Sequence, residues 1–268
     1  MAKHLNEITS QVAFFHSAHA TSRMHSMRRG GGVCAGLCLS VALGASARSL
    51  MGCGSSPPPP AHAEHGHHDH PAGHGPLVHR FEHAEAWAKE FDDPARDGWQ
   101  KPSDVVAAMG IREGQVVADV GAGTGYFEPW LSRAVGASGS VLAVDIEPDM
   151  IRYLGERAKR EHLANVTPVL AATDDPRLPI GKVDRILIVD TWHHIDARPV
   201  YAAKLRDALA ADGKIFIVDF TMTASHGPPR EHRLSPDQVV GELAAGGLAA
   251  EVVPVGLPEQ WVIMAKRR

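Results

Sequence analysis

Three glycines on alternate residues, Gly121, Gly123 and Gly125, interrupt an apolar run and lead into helix-forming sequence. A strand delivered into so bare a turn lets a ligand lie against main chain, because a β-carbon would block both the turn and the approach. Two carboxylates flank it. Asp119 sits inside the end of the strand, and Asp145 ends the next short apolar run, Ser140 to Asp145, as a buried parallel strand does. An acid at that separation from a glycine turn is placed to accept from both hydroxyls of a ribose. The competing use of Asp145, as a helix cap, is less needed because Glu147-Pro148 already supplies a helix start. The glycine spacing departs from the dinucleotide pattern G-x-G-x-x-G, since Tyr126 occupies the third place, where close helix–strand packing requires a small residue. A nicotinamide dehydrogenase is disfavoured for that reason.

Further along, Val183 to Asp190 reads as another buried strand ending in an acid, followed at once by Thr191-Trp192-His193-His194. This places Asp190 and the two histidines over the sheet edge that parallel folds use for ligands. An imidazole titrates near neutrality, so His193 or His194 is suited to take a proton from an O–H or N–H group. The alternative is that both rings simply hydrogen-bond to backbone. At the front of the chain, His62, His65, His67, His68, His70 and His74 crowd a Pro-rich stretch, a density that suggests weak binding of Zn, Cu or Ni. The competing reading is a soluble tether with incidental histidines.

Periodicity gives the elements that must position these groups. Helices are expected over Phe81 to Asp92, from Ser103 as N-cap to Met109 with Gly110 as its stop, and over Asp149 to His162 on the apolar stripe Met150, Leu154 and Ala158. Another opens at Asp196 and closes at Gly213 as a left-handed cap. A last one starts at the capping box Ser235-Pro236-Asp237-Gln238 and ends at Gly246-Gly247. Strands are expected around Val116, over Ser140 to Asp145, Val166 to Ala171, Val183 to Asp190 and Lys214 to Phe220, then around Ala250 to Val255 and Trp261 to Ala265. Strand–helix alternation of this kind means a doubly wound parallel sheet with helices on both faces. Trp99, in the loop between the first two helices, is expected to be a core aromatic.

Four segments in this order resemble the class I S-adenosylmethionine-dependent methyltransferases, in the branch that includes ubiquinone/menaquinone-type and small-molecule enzymes. They are Asp119 to Gly125, Val144 to Met150, Val189 to Ile195, and Val218-Asp219-Phe220. The resemblance covers residues 81–268 and implies a Rossmann-like, mostly parallel seven-stranded sheet completed by an antiparallel C-terminal hairpin, with a helical N-terminal extension folded over the cofactor. It implies S-adenosylmethionine as cofactor. Gly121, Ala122, Gly123 and Gly125 would turn backbone N–H groups toward the methionyl carboxylate, Asp119 would orient its ammonium, and Asp145 with Ile146 would hold the ribose end. The family's acid near the adenine amine has slipped here, leaving Asp174 as the nearest equivalent, with a helix cap or solvated loop as its alternative use. Asp190, His193 and His194 would lie near the reactive methyl. Transfer from a sulfonium is a direct displacement that many enzymes promote by alignment and desolvation, so no base is required. The acceptor is expected to be a small molecule, with Thr221 to Arg233 contributing to its pocket through His226, Arg230 and His232.

The N-terminal part reads differently. Met27-Arg28-Arg29, an apolar run from Val33 to Ala45 too short to span a bilayer, and Leu50-Met51-Gly52-Cys53 resemble a bacterial lipoprotein signal with its lipobox. Residues 1–53 are expected to be this signal, with Met24 or Met27 as the true start, residues 54–80 a Pro/His-rich tether, and Cys53 a lipid anchor to the bacterial envelope. If the leader does not function, the protein is cytoplasmic. All three cysteines, Cys34, Cys38 and Cys53, fall in this leader, so no disulfide framework or Cys-based zinc site is expected in the domain. With 27 basic against 31 acidic residues the chain has no basic excess, and no nucleic-acid partner is expected. Export conflicts with a charged cytosolic cofactor, which keeps a second reading open: an exported metal-binding lipoprotein whose Rossmann-like domain binds without catalysing.

Overall fold

Apolar runs that end in acids become the centre of a seven-stranded sheet. The computed structural model describes Phe81 and residues 83–268. The lipobox, Cys53 and the histidines His62 to His74 lie outside the described residues. In chain order the elements are α1 (Ala84–Phe91), a 3-10 turn (Pro94–Arg96), α2 (Asp97–Gln100), α3 (Pro102–Met109), β1 (Val116–Val120), α4 (Glu128–Val135), β2 (Ser140–Asp145), α5 (Pro148–Arg160), β3 (Val166–Leu170) and β4 (Val183–Val189). There follow a 3-10 turn (Trp192–His194), α6 (Arg198–Ala208), β5 (Leu209–Phe220), a 3-10 turn (Arg230–His232), α7 (Pro236–Ala245), β6 (Leu248–Val252) and β7 (Gln260–Arg267). The strand order is β3-β2-β1-β4-β5-β7-β6; β7 runs antiparallel to both β5 and β6, and the other pairings are parallel. This is the expected doubly wound sheet with its C-terminal hairpin. Among the described residues no helix is long and apolar enough to cross a membrane.

Alternation along the central strands feeds two cores. Ala118, Val120, Ile186, Ile188, Ile215 and Ile217 face one core with Trp192, Tyr201 and Leu205. Val117, Leu187, Val189, Phe216 and Val218 face the other, with Met109, Leu131 and Leu154. Asp119 shares the parity of Val117 and therefore points into the second core, toward α4. The order of the strands reverses between β1 and β4, and there the C-terminal ends open the crevice that ligands of such folds use.

Three local expectations are corrected. Helix α3 begins at Pro102 behind a left-handed Lys101 (φ 44°), so Ser103 is an interior residue of the first turn and not the N-cap; proline already fixes the first-turn dihedral. Gly213 is no helix cap. Helix α6 ends at Ala208 because Leu209 pairs with Val183 at the start of β5, and the register then shifts until Lys214 pairs with Arg185. Gly213 serves close packing instead, since a Cβ there would lie 2.9 Å from the Val183 carbonyl oxygen. Trp99 is half-buried and not a core aromatic: it stacks on His226, with ring centres 5.3 Å apart and planes at 13°, and leans on Phe220. By contrast Gly110 (φ 58°) stops α3, and the Ser235 hydroxyl caps α7 by accepting from the Gln238 N–H, as expected.

Gly121 shows why the crevice needs bare backbone. Its φ is +82°, and a Cβ would lie 2.2 Å from Oγ1 of Thr191, the residue beginning the loop after β4. Gly121→Ala is expected to cost about 2–4 kcal/mol from left-handed strain plus overpacking, read as a lowered urea midpoint with an unchanged slope.

Candidate functional site

The parallel strands deliver four aspartates to one edge of the sheet. Asp119 comes from β1, Asp145 from β2, Asp190 follows β4, and Asp219 lies near the end of β5. Around the glycine turn the backbone donors are already used: the N–H groups of Gly121 and Ala122 donate to the Val144 carbonyl at 2.8 and 3.0 Å, and that of Gly125 donates to Ala122. Gly123 N–H donates to Asp145 Oδ2 at 2.9 Å, while Asp145 Oδ1 accepts from Glu147 N–H at 2.9 Å. The turn thus contributes shape, and the expectation that the N–H groups of Gly121 and Ala122 face a ligand carboxylate is corrected: they tie β1 to β2. Two amide donors leave the Asp145 carboxylate with spare lone pairs for hydroxyl donors. Burial nevertheless raises its pKa, the amide bonds only partly offsetting the lost hydration. Beside it, Ile146 is 45 % exposed and presents an apolar face next to the acid.

Beneath the turn lies a carboxyl pair. Asp119 is 3 % exposed and Glu128, the first residue of α4, is 1 % exposed. No other residue donates to either oxygen of Glu128, so the two acids bond to each other only when one of them carries a proton. Burial first, and then the neighbouring charge of Asp145, push Asp119 up to about 7; burial and Asp119 drive Glu128 well above the ordinary carboxylate range. Gly125 closes over the pair: at φ +90°, a Cβ there would lie 2.8 Å from Leu154 and 3.1 Å from Glu128 Oε2.

Asp190 occupies a left-handed conformation (φ 52°) just past β4. Its Oδ1 accepts from Gln260 Nε2 at 2.5 Å and its Oδ2 faces the Arg96 guanidinium at 3.4 Å. Burial lifts its pKa to about 7, with Arg96 opposing and Asp219 adding to the rise. Alongside, His193 Nδ1 lies 2.9 Å from Asp219, and the two side chains are 5 % and 1 % exposed. A buried carboxylate bonded there holds the proton on Nδ1 and leaves the Nε2 lone pair for a further partner. The His194 ring is 4.1 Å from that of His193 and meets Phe81 edge-on.

The N-terminal segment covers this edge. Phe91 of α1 lies over the turn, 3.5 Å from where a Gly123 Cβ would be. Asp92 accepts from Thr124 Oγ1 at 2.8 Å and pairs with Arg157 at 2.7 Å. Asp149 accepts from the Ala84 N–H, Arg152 pairs with Glu85, and the Tyr126 hydroxyl donates to Asp97. Arg96 lies over the Tyr126 ring and donates to Gln100, which in turn donates to Gln260. On the acceptor side, Arg233 gathers the carbonyls of Thr221, Ala224, His226 and Pro228 and so shapes the 221–233 loop; His226 stacks on Trp99, whereas Arg230 and His232 are exposed.

The structure therefore brings together Asp119, Asp145, Ile146, Asp190, His193 and His194 around the turn. The Asp174 side chain is 83 % exposed and tied to Lys204. Glu128, Arg96, Gln260 and the pairing of Asp219 with His193 escape the sequence pattern. Glu128 reads there as an ordinary first-turn acid, and the others meet only through long-range contacts. Among the described residues no group of three or more His, Cys, Asp or Glu is arranged to hold a metal ion.

The chain is similar to known proteins in sequence and fold. Residues 117–213 match the model of a methyltransferase domain. A S-adenosylmethionine-dependent methyltransferase from Aquifex aeolicus superposes with a TM-score of 0.64 at 30 % identity, covering 67 % of this chain and 96 % of that one. Among curated relatives, a ubiquinone/menaquinone biosynthesis C-methyltransferase of Psychromonas ingrahamii is 29 % identical over 119 residues, 43 % of this chain and 47 % of that protein. The erythromycin 3''-O-methyltransferase of Saccharopolyspora erythraea is 31 % identical over 172 residues, 60 % of this chain and 50 % of that protein. This chain belongs to the S-adenosylmethionine-dependent methyltransferase family. It spans half or less of the length of the curated relatives it matches.

The carboxyl pair sets a sign for stability. Asp119 has a folded pKa above its unfolded value, so the native state holds more protons and stability falls as pH rises between roughly 4 and 7. Asp119→Asn is expected to flatten that part of the profile relative to the wild type, measured as denaturation midpoints of the ligand-free protein at stepped pH.

Proposed function

We propose that this domain transfers the methyl group of S-adenosylmethionine to a small-molecule acceptor. The observation that carries the reading is the crevice itself, where a glycine turn and the carboxylate of Asp145 meet over a set of buried acids with Arg96 as a neighbouring cation. The chemistry of the groups fits the cofactor. It bears a sulfonium and an ammonium against one carboxylate, and a low-dielectric site rich in carboxyls favours such a ligand. Asp145 would take the ribose hydroxyls, Ile146 would pack an apolar surface beside them, and Asp119 would face the amino-acid end. When bound, the cofactor supplies a methyl group on a good leaving sulfur.

The remaining work belongs to this chain's own residues. The covering segment from α1 to α2 excludes water, which matters because a displacement at carbon is promoted by alignment and desolvation. His193, oriented by Asp219, is placed to accept a proton from the acceptor at Nε2. Stacked Trp99 and His226, with Phe220 behind Trp99, give a flat aromatic wall beside the 221–233 loop. The two relatives act differently, one by C-methylation and the other by 3''-O-methylation, and the acceptor follows from loops that vary between such proteins.

Isothermal calorimetry tests the reading. Wild type is expected to bind S-adenosylmethionine and its demethylated product with micromolar affinity, and Asp145→Ala to weaken both at least about tenfold through loss of a charge-assisted hydroxyl bond. No heat with either ligand contradicts it. With an acceptor in hand, His193→Ala and Asp219→Asn are expected to lower kcat with little change in cofactor affinity, whereas unchanged turnover removes both from the mechanism.

A further inference from the structure

Glu128 is placed where a carboxylate is hard to keep. Its side chain is almost wholly enclosed by Asp119, the Gly125 backbone, Leu154 and Arg157, and no other residue donates to either oxygen. A buried acid with no partner is costly unless it is neutral or meets a cation. Replacing it by an apolar residue would serve the core better, so its presence under the turn points to a cation that arrives from outside. The charged groups facing the pair are Asp145 from β2, Arg96 from the 3-10 turn and Arg157 from α5. Both arginines already have carboxylate partners, Arg96 with Asp190 and Arg157 with Asp92 and Glu161.

We propose that Asp119 and Glu128 form a proton-for-ammonium exchange site: one proton held between the two carboxyls of the free domain leaves for solvent as the cofactor's α-ammonium arrives, and both carboxylates then accept its N–H bonds. This rests on the cofactor reading above and adds Glu128 as a binding residue and a pH dependence of capture. The sign follows from linkage. Binding that expels a proton strengthens as pH rises, and the window is the one around 7 in which Asp119 titrates. Because the exchange is with the amino-acid end, it applies equally to the sulfonium cofactor and to its neutral-sulfur product. It does not apply to 5'-methylthioadenosine, which lacks that end.

Calorimetry of the full chain with S-adenosylmethionine at pH 6.5, in buffers of different ionisation enthalpy, counts the protons moved. The expected result is release of about one proton per cofactor bound, by the linkage of two coupled acids. The same release is expected with the demethylated product and none with 5'-methylthioadenosine. Glu128→Gln is expected to lower the release and its combination with Asp119→Asn to abolish it, while Asp190→Asn, which removes another acid of raised pKa in the crevice, keeps it. Binding by wild type with no proton release overturns the exchange while leaving the cofactor reading intact, and so does a release that Glu128→Gln leaves undiminished or that persists when both acids are replaced. Absence of binding by wild type overturns both, and wild type alone decides should a variant fail to fold.

Discussion

Burying several carboxyl groups at one edge of a sheet, with few cations beside them, is the constraint around which this domain is arranged. Asp119 and Asp219 are essentially inaccessible, Asp145 and Asp190 are largely so, and Glu128 adds another acid beneath them. Lost hydration raises the pKa values of Asp119, Glu128, Asp145 and Asp190, and neighbouring carboxylates add to the rise for Asp119, Glu128 and Asp190. A fold does not gain stability from such an arrangement. It gains a low-dielectric seat in which positive charge is favoured, and that is the charge a methyl sulfonium carries.

Everything nearby follows from keeping that seat shaped and dry. The glycine turn binds itself to β2 through the Val144 carbonyl and to Asp145 through Gly123, so its form does not depend on a ligand being present. The N-terminal segment closes over it with Phe91 and is fastened from several sides, by Asp92 to Thr124 and Arg157, by Asp97 to Tyr126, and by Arg96 to Asp190. Gln100 and Gln260 continue the polar chain from Arg96 to Asp190, so the cover and the acid edge share one hydrogen-bond network. Such a network is worth more when complete than its pairs alone, and losing one member exposes the others to burial without partners.

The sheet was legible because buried parallel strands are nearly continuous apolar runs and because an acid stands at or beside a strand's end three times over, as Asp119, Asp145 and Asp190. The final antiparallel hairpin matches what the resemblance implied. What stayed hidden depends on distant contacts. Gly213 looks like a helix stop because glycine commonly is one, but Leu209 had already been drawn into pairing with Val183. Trp99 looks like a core residue by type, and only the folded 221–233 loop supplies its true partner, His226. Glu128 follows a phenylalanine and precedes a proline, the ordinary start of a helix, and nothing local shows that α4 aims it at Asp119. Asp219 is visible as part of a strand-end motif, but its bond to His193 joins residues from the ends of two different strands.

The most direct measurement is a crystal structure of the protein grown with S-adenosylmethionine. Adenosyl density is expected across the turn from Gly121 to Gly125, with ribose hydroxyls on Asp145 and the amino-acid end above Asp119. Density confined to another surface, or a turn still covered by Phe91 with no ligand beside it at saturating concentration, contradicts it.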